Sequence, residues 1–118
     1  GLHTSDCVIR AVATATNQSW EKVFKELCEL GLEMKTIPNE QKVFIKYIES
    51  LGFVKQRQPR KSNNKKFRGH EFVKLLSKDT GPIIANIGSY HIVCIKDMKI
   101  HDIWNCSDRC IGNYWIKE

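Results

Sequence analysis

The stretch Asp6-Cys-Val-Ile-Arg-Ala-Val-Ala-Thr-Ala15 sets a cysteine at the head of an apolar run that holds one arginine. Val8, Ile9, Val12 and Ala13 recur at helical spacing, so a helix is predicted from Asp6 or Cys7 to about Thr16, with Thr4 or Ser5 as its cap. Almost every residue in it is apolar or small, which predicts burial on most sides. Unsatisfied backbone N–H groups and the helix dipole favour negative charge at the first turn, the condition a thiolate nucleophile needs. Cys7 is therefore a candidate nucleophile, and Arg10, one turn on, is a partner for Asp6 or for the thiolate.

Three further helices follow in the pattern. Ser19 caps one with Trp20, Val23, Phe24, Leu27 and Cys28 as its apolar stripe and Gly31 as its stop. Asn39 caps the next, with Val43, Phe44, Tyr47, Ile48 and Leu51 on one face and Gly52 at its end, and Gly69 to Ser77 makes a short one through Phe72, Val73 and Leu76. Beyond Gly81-Pro82 the period changes. Strands are predicted over Pro82–Ile87, Ser89–Lys96, Lys99–Asn105 and Ile111–Ile116, the second and third joined by a two-residue turn at Asp97-Met98. Helices first and antiparallel strands afterwards predict an α+β fold, its N-terminal helical part packed on a small antiparallel sheet.

At 118 residues the chain is the size of one domain. No apolar run approaches the roughly 20 residues that span a bilayer, so no membrane association is expected. Five cysteines, Cys7, Cys28, Cys94, Cys106 and Cys110, lack the spacing of a disulfide framework and point to a reducing compartment, the cytoplasm. Cys28 and Cys94 fall on apolar faces and read as core. Cys106 and Cys110, with His101 nearby, hint at a metal site, but they lack standard zinc-knuckle spacing and read rather as an ordinary loop with two thiols; no metal or cofactor is implied.

The net charge of +6 is concentrated in one place. Lys55, Arg57, Arg60, Lys61, Lys65, Lys66 and Arg68 lie in a segment without acidic residues; removing those seven from the 19 leaves 12 basic against 13 acidic residues. The segment reads as an exposed loop between the third and fourth helices, suited to an acidic protein partner or to nucleic acid.

A thiol nucleophile needs a base, and His91, at the start of its strand, is the best placed of the four histidines. With a two-residue turn at Asp97-Met98, Lys96 pairs with Lys99, and the side-chain period of two puts Asp102 on His91's face, one diagonal step away. Asp102 can then hold the imidazole in one tautomer and orientation. Asn105 points to the other face. His101 reads as a surface residue and His70 as part of a helix cap. Tyr90 and Trp104 flank the histidine and the aspartate and are candidates to line a substrate groove, with Tyr114 and Trp115 divided between such a groove and the core.

The stretches DCVIRAVATATNQSWEKV (6–23) and HIVCIKDMKIHDIWN (91–105), in the order Cys, His, Asp with a helical part before a sheet, resemble papain-like cysteine peptidases, in particular small members from bacteria and their phages. The resemblance covers most of the chain and implies a Cys7 nucleophile, a His91 base and an Asp102 orienter. The implied activity is that of a cysteine hydrolase or acyltransferase acting on a peptide or side-chain amide, released to water or to an amine. Such enzymes usually carry a glutamine shortly before the cysteine as an oxyanion donor, whereas Gly1 to Asp6 contain neither Gln nor Asn. The Cys7 backbone N–H is then one donor and Thr4, Ser5 or His3 the second; losing one such donor costs a factor of about 10² to 10³ in turnover. The alternative is a papain-like binding module without turnover that uses the basic segment.

Overall fold

The computed structural model describes residues 6–37, 40–88, 91–102 and 105–117. Three helices, α1 (Cys7–Thr16), α2 (Trp20–Glu33) and α3 (Gln41–Ser50), are followed by a short strand β1 (Phe53–Gln56) and a single-turn helix α4 (Gly69–Val73). The strands β2 (Ile83–Ile87), β3 (His91–Lys96), β4 (Lys99–His101) and β5 (Ile111–Lys117) complete the chain. The five strands form one antiparallel sheet in the order β1-β5-β2-β3-β4, an α+β arrangement with the helical part packed on the sheet.

Alternation along the strands supplies both faces of that sheet with apolar side chains. Ile84, Cys94, Trp115 and Phe53 point to the face covered by α1, α2 and α3, where Ala11, Val12, Ala15, Val23, Leu27, Val43, Phe44 and Ile48 meet them. Trp115, which the sequence left open to a groove, is core and meets Phe44 edge to face. Ile83, Ala85, Ile87, Val93, Ile95 and Ile111 point the other way, and Phe72 and Cys106 close over them. This cover lies close to the sheet at Gly69, where a Cβ would come within 2.8 Å of Ile100 Cδ1, 2.9 Å of Ile87 Cδ1 and 3.2 Å of Ser107 Cα. A side chain there would push the α4 segment off the sheet.

Several boundaries differ from the sequence reading. α2 runs through Gly31 to Glu33, and Lys35 takes the left-handed closing position at φ 56°. The fourth helix ends at Val73, because Leu75 and Leu76 turn back in i→i−3 hydrogen bonds to Phe72 and Val73. The third predicted strand stops at His101, and the Asn105 side chain instead accepts from the Ser107 N–H and hydroxyl in a turn. β1 was not anticipated: only Phe53 of its four residues is buried, and it is held by pairing with β5 from Phe53↔Lys117 to Gln56↔Tyr114. Cys28 is half-buried, not core. The predicted caps Thr4, Ser5 and Asn39 lie outside the described residues.

The β3–β4 turn has Asp97 at φ 55° and Met98 at φ 62°, both in the left-handed region, as a type I′ hairpin requires. Left-handed backbone costs an L-residue about 1–2 kcal/mol, while glycine adopts it readily. Met98 is exposed, so Met98→Gly is expected to stabilise the fold by about 0.5–1 kcal/mol, read from urea denaturation. A loss of stability would show that the Met98 side chain contributes more than its backbone strain costs.

Candidate active site

The hairpin has the predicted register: Lys96 pairs with Lys99, Ile95 with Ile100 and Cys94 with His101. Asp102 therefore follows the ladder on the side of Ile100, diagonal to His91, and His91 Nε2 donates to Asp102 Oδ2 at 2.5 Å. His101 is exposed and its ring bonds Lys96 O, in keeping with a surface role.

Asp102 has two further partners. Arg10 Nη1 donates to Oδ1 at 3.4 Å, and the Cys106 thiol donates a hydrogen bond to the same carboxylate. The Asp102 side chain is 4% exposed, and a carboxylate taken that far from water needs this set of donors. Neither partner was predicted in this role. Arg10 was matched to Asp6, which it does pair with, Nε to Oδ1 at 3.0 Å. Cys106 reads from the sequence as a loop thiol, yet it is buried.

The helix bearing Cys7 is tied to β3 at both ends. Lys96 Nζ donates to Thr14 O at 3.2 Å, and Arg10 reaches Asp102, which holds His91. Helix and strand thus run in the same sense, and the Cys7 end of α1 lies at the His91 end of β3. The first turn is fixed further by Asp6: its carboxylate caps no backbone N–H and instead accepts from Arg10 and from Trp20 Nε1 at 3.1 Å. The pleat assigns His91 to the face of Ile87 and Val93, whereas α1 covers the face of Ile92 and Cys94.

Beside the Arg10–Asp102 pair lies a cavity of about 490 Å³, walled by Thr14, Trp20, Ile100 and His101. Trp20, expected in the core stripe of α2, is partly exposed and stacks on Phe24 with ring centroids 5.2 Å apart. The expected groove residues Tyr90 and Trp104, and the expected oxyanion donors His3, Thr4 and Ser5, lie outside the described residues.

The basic segment is more ordered than the predicted loop. Lys55 belongs to β1 opposite Trp115. Arg60 and Lys66 form an antiparallel bridge, closed by Lys61 N–H to Lys65 O and Asn64 N–H to Lys61 O, both 2.8 Å. Arg68 bridges Cys110 and precedes α4. Lys61 pairs with Glu71, whose carboxyl is held well below the usual range, first by that hydrogen bond and then by the Arg68 N–H. Lys61, Lys65, Lys66, Arg68 and His70 surround a depression of about 580 Å³. Arg57 lies in the described segment between β1 and this hairpin.

Comparison with protein-family models, curated proteins and solved structures finds no match to this chain.

The five thiols differ in environment. Burial pushes the Cys94 thiol up to about 12; burial, followed by the hydrogen bond to Asp102 and its charge, pushes Cys106 up to about 12. Both stay protonated near neutral pH, whereas Cys7, Cys28 and Cys110 are only half-buried. Under native conditions at pH 8, mass spectrometry after iodoacetamide is expected to find alkylation at Cys7, Cys28 and Cys110, with Cys94 and Cys106 modified only on unfolding. Because raised folded values oppose ionisation, the same two thiols stabilise the fold below pH about 9. That contribution is lost as pH rises toward 12.

Proposed function

We propose that the protein is a papain-like cysteine hydrolase or acyltransferase acting on a peptide or side-chain amide. The observation that carries the reading is the His91–Asp102 pair at the end of β3 beside which α1 begins with Cys7. Asp102 accepts the Nε2 proton of His91, so Nδ1 is the ring atom that exchanges a proton with Cys7. The thiolate sulfur attacks the carbonyl carbon, and the imidazolium then protonates the departing amine, leaving a thioester. Water completes hydrolysis by attacking the thioester, with its proton passing through His91; an amine in place of water gives a transglutaminase-like transfer.

Cys106 is the poorer nucleophile although it touches Asp102. It is buried, and its proton is held by the carboxylate, which opposes ionisation. The cavity walled by Trp20 and Thr14 suits a narrow peptide segment. The half-buried Cys7 and four other unpaired cysteines suit a reducing setting, the cytoplasm. No helix among the described residues is long and apolar enough to cross a membrane.

Cys7→Ala and His91→Ala are expected to abolish release of amine from a peptide-amide library, and Asp102→Asn to lower turnover by about 10² to 10⁴. Iodoacetamide should modify Cys7 faster than Cys28 or Cys110, and His91→Ala should remove that advantage. Equal labelling of the three half-buried thiols would remove the mechanism.

A second reading, a binding module, draws on the cations gathered around the depression at the basic hairpin. Four cations facing a single-stranded oligonucleotide would give an affinity loss of about 10- to 100-fold between 50 and 200 mM salt. Fluorescence titration of the wild type against Lys65→Glu/Lys66→Glu checks it; affinity unchanged by salt or by those substitutions would exclude nucleic acid.

A further inference from the structure

His91, Asp102 and Cys106 each present a ligand atom, and the three atoms lie within 4.8 Å of one another. We infer that they form a binding site for a borderline divalent transition-metal ion, zinc(II) above all, and that such an ion and the proposed acyl chemistry exclude one another at His91.

The donor set selects the class of ion. One imidazole nitrogen, one carboxylate oxygen and one thiol sulfur match tetrahedral zinc, with the fourth position left for water. Magnesium and calcium prefer oxygen-only shells of six or more ligands, and a thiol discriminates against them. Thiolate and carboxylate together neutralise the 2+ charge, and Arg10 keeps Asp6 as its counter-ion. Asp102 is 4% and His91 20% exposed, so the ligands are largely fixed in place and the ion enters past the imidazole.

Binding asks for a small rearrangement. Metal–nitrogen and metal–oxygen bonds of about 2.0–2.2 Å at a tetrahedral angle hold the two atoms about 3.3 Å apart. His91 Nε2 and Asp102 Oδ2, now 2.5 Å apart, must part by under 1 Å. The Cys106 proton passes to solvent as the sulfur–metal bond forms. The imidazole remains neutral, its proton moving from Nε2 to Nδ1 through solvent as Nε2 takes the metal. With Nδ1 protonated and Nε2 metallated, His91 can no longer accept a proton from Cys7.

This site shares His91 and Asp102 with the proposed hydrolase but does not depend on it. Cobalt(II) is the probe for binding, because a thiolate ligand gives it a charge-transfer absorption that nitrogen and oxygen ligands do not. One equivalent is expected to bind with that band and to be displaced by zinc(II). Cys106→Ala should remove the band, and His91→Asn, at the more exposed strand end, should weaken binding by at least about tenfold. Cys7→Ala, Cys110→Ala and His101→Ala should leave both unchanged, with circular dichroism confirming that each variant is folded.

Absence of the band in wild type, or its loss in Cys7→Ala and retention in Cys106→Ala, would overturn the site. The two proposals fail separately. Cobalt bound through Cys106 with no amidase activity leaves the metal site standing without the hydrolase. Hydrolysis that persists with one equivalent of zinc bound overturns the mutual exclusion.

Discussion

One carboxylate joins the parts of this molecule that matter for chemistry. Asp102 leaves the end of a three-residue edge strand with its side chain almost wholly removed from water, and takes hydrogen bonds from the first turn of α1, the first residue of β3 and the thiol of a following loop. A buried charge is tolerated only with close, well-oriented partners, and removing one leaves the remainder of the set exposed to the full desolvation penalty. Apolar packing of Val12 and Ala15 against Cys94 presses α1 onto the sheet but tolerates sliding. The Arg10–Asp102 pair, with Lys96 on Thr14 at the other end, specifies where along β3 the helix begins.

The order of the strands explains why this point lies at an edge. β5, β2 and β3 form the middle of the sheet and are largely apolar between their ends, Asn86 in β2 and Asn113 in β5 excepted. β4 is short and borders solvent, and the chain leaves its ladder at Asp102, where a carboxylate can face both the sheet end and the helix tip. Gly69 lets α4 lie close on the opposite face, which brings Ser107 and its neighbours over Ile87 and Ile100 and turns Cys106 inward. The same edge thus receives a thiol-bearing helix from one face and a thiol-bearing loop from the other.

What could be read from the sequence was whatever depends on neighbours along the chain. Helical spacing in residues 7–16 and the two-residue turn at Asp97-Met98 are local, and they were enough to give α1, the hairpin register and the His91–Asp102 pair. β1 was missed because Val54 and Lys55 are exposed and the strand exists by pairing with the far end of the chain. Trp20 was placed in the core by its spacing, whereas its indole N–H is drawn to Asp6 across the α1–α2 junction. The burial of Cys106 gave no signal, since it depends on the close approach at Gly69. Arg10 had a visible partner four residues earlier, and that local explanation hid the distant one.

Cys7 and Cys106 stand in different surroundings, and that difference bears on what each can do. Cys7 sits at the start of α1 and is half-buried. Cys106 is enclosed, with its proton committed to Asp102 and its thiolate facing a like charge. A carbonyl substrate cannot compensate the ionisation of Cys106, because the attacking sulfur would have to form beside the Asp102 charge before any bond to carbon stabilised it. A divalent cation can, because it neutralises thiolate and carboxylate together. In the proposed reading acyl transfer uses Cys7 and metal binding uses Cys106, and both would draw on the imidazole of His91.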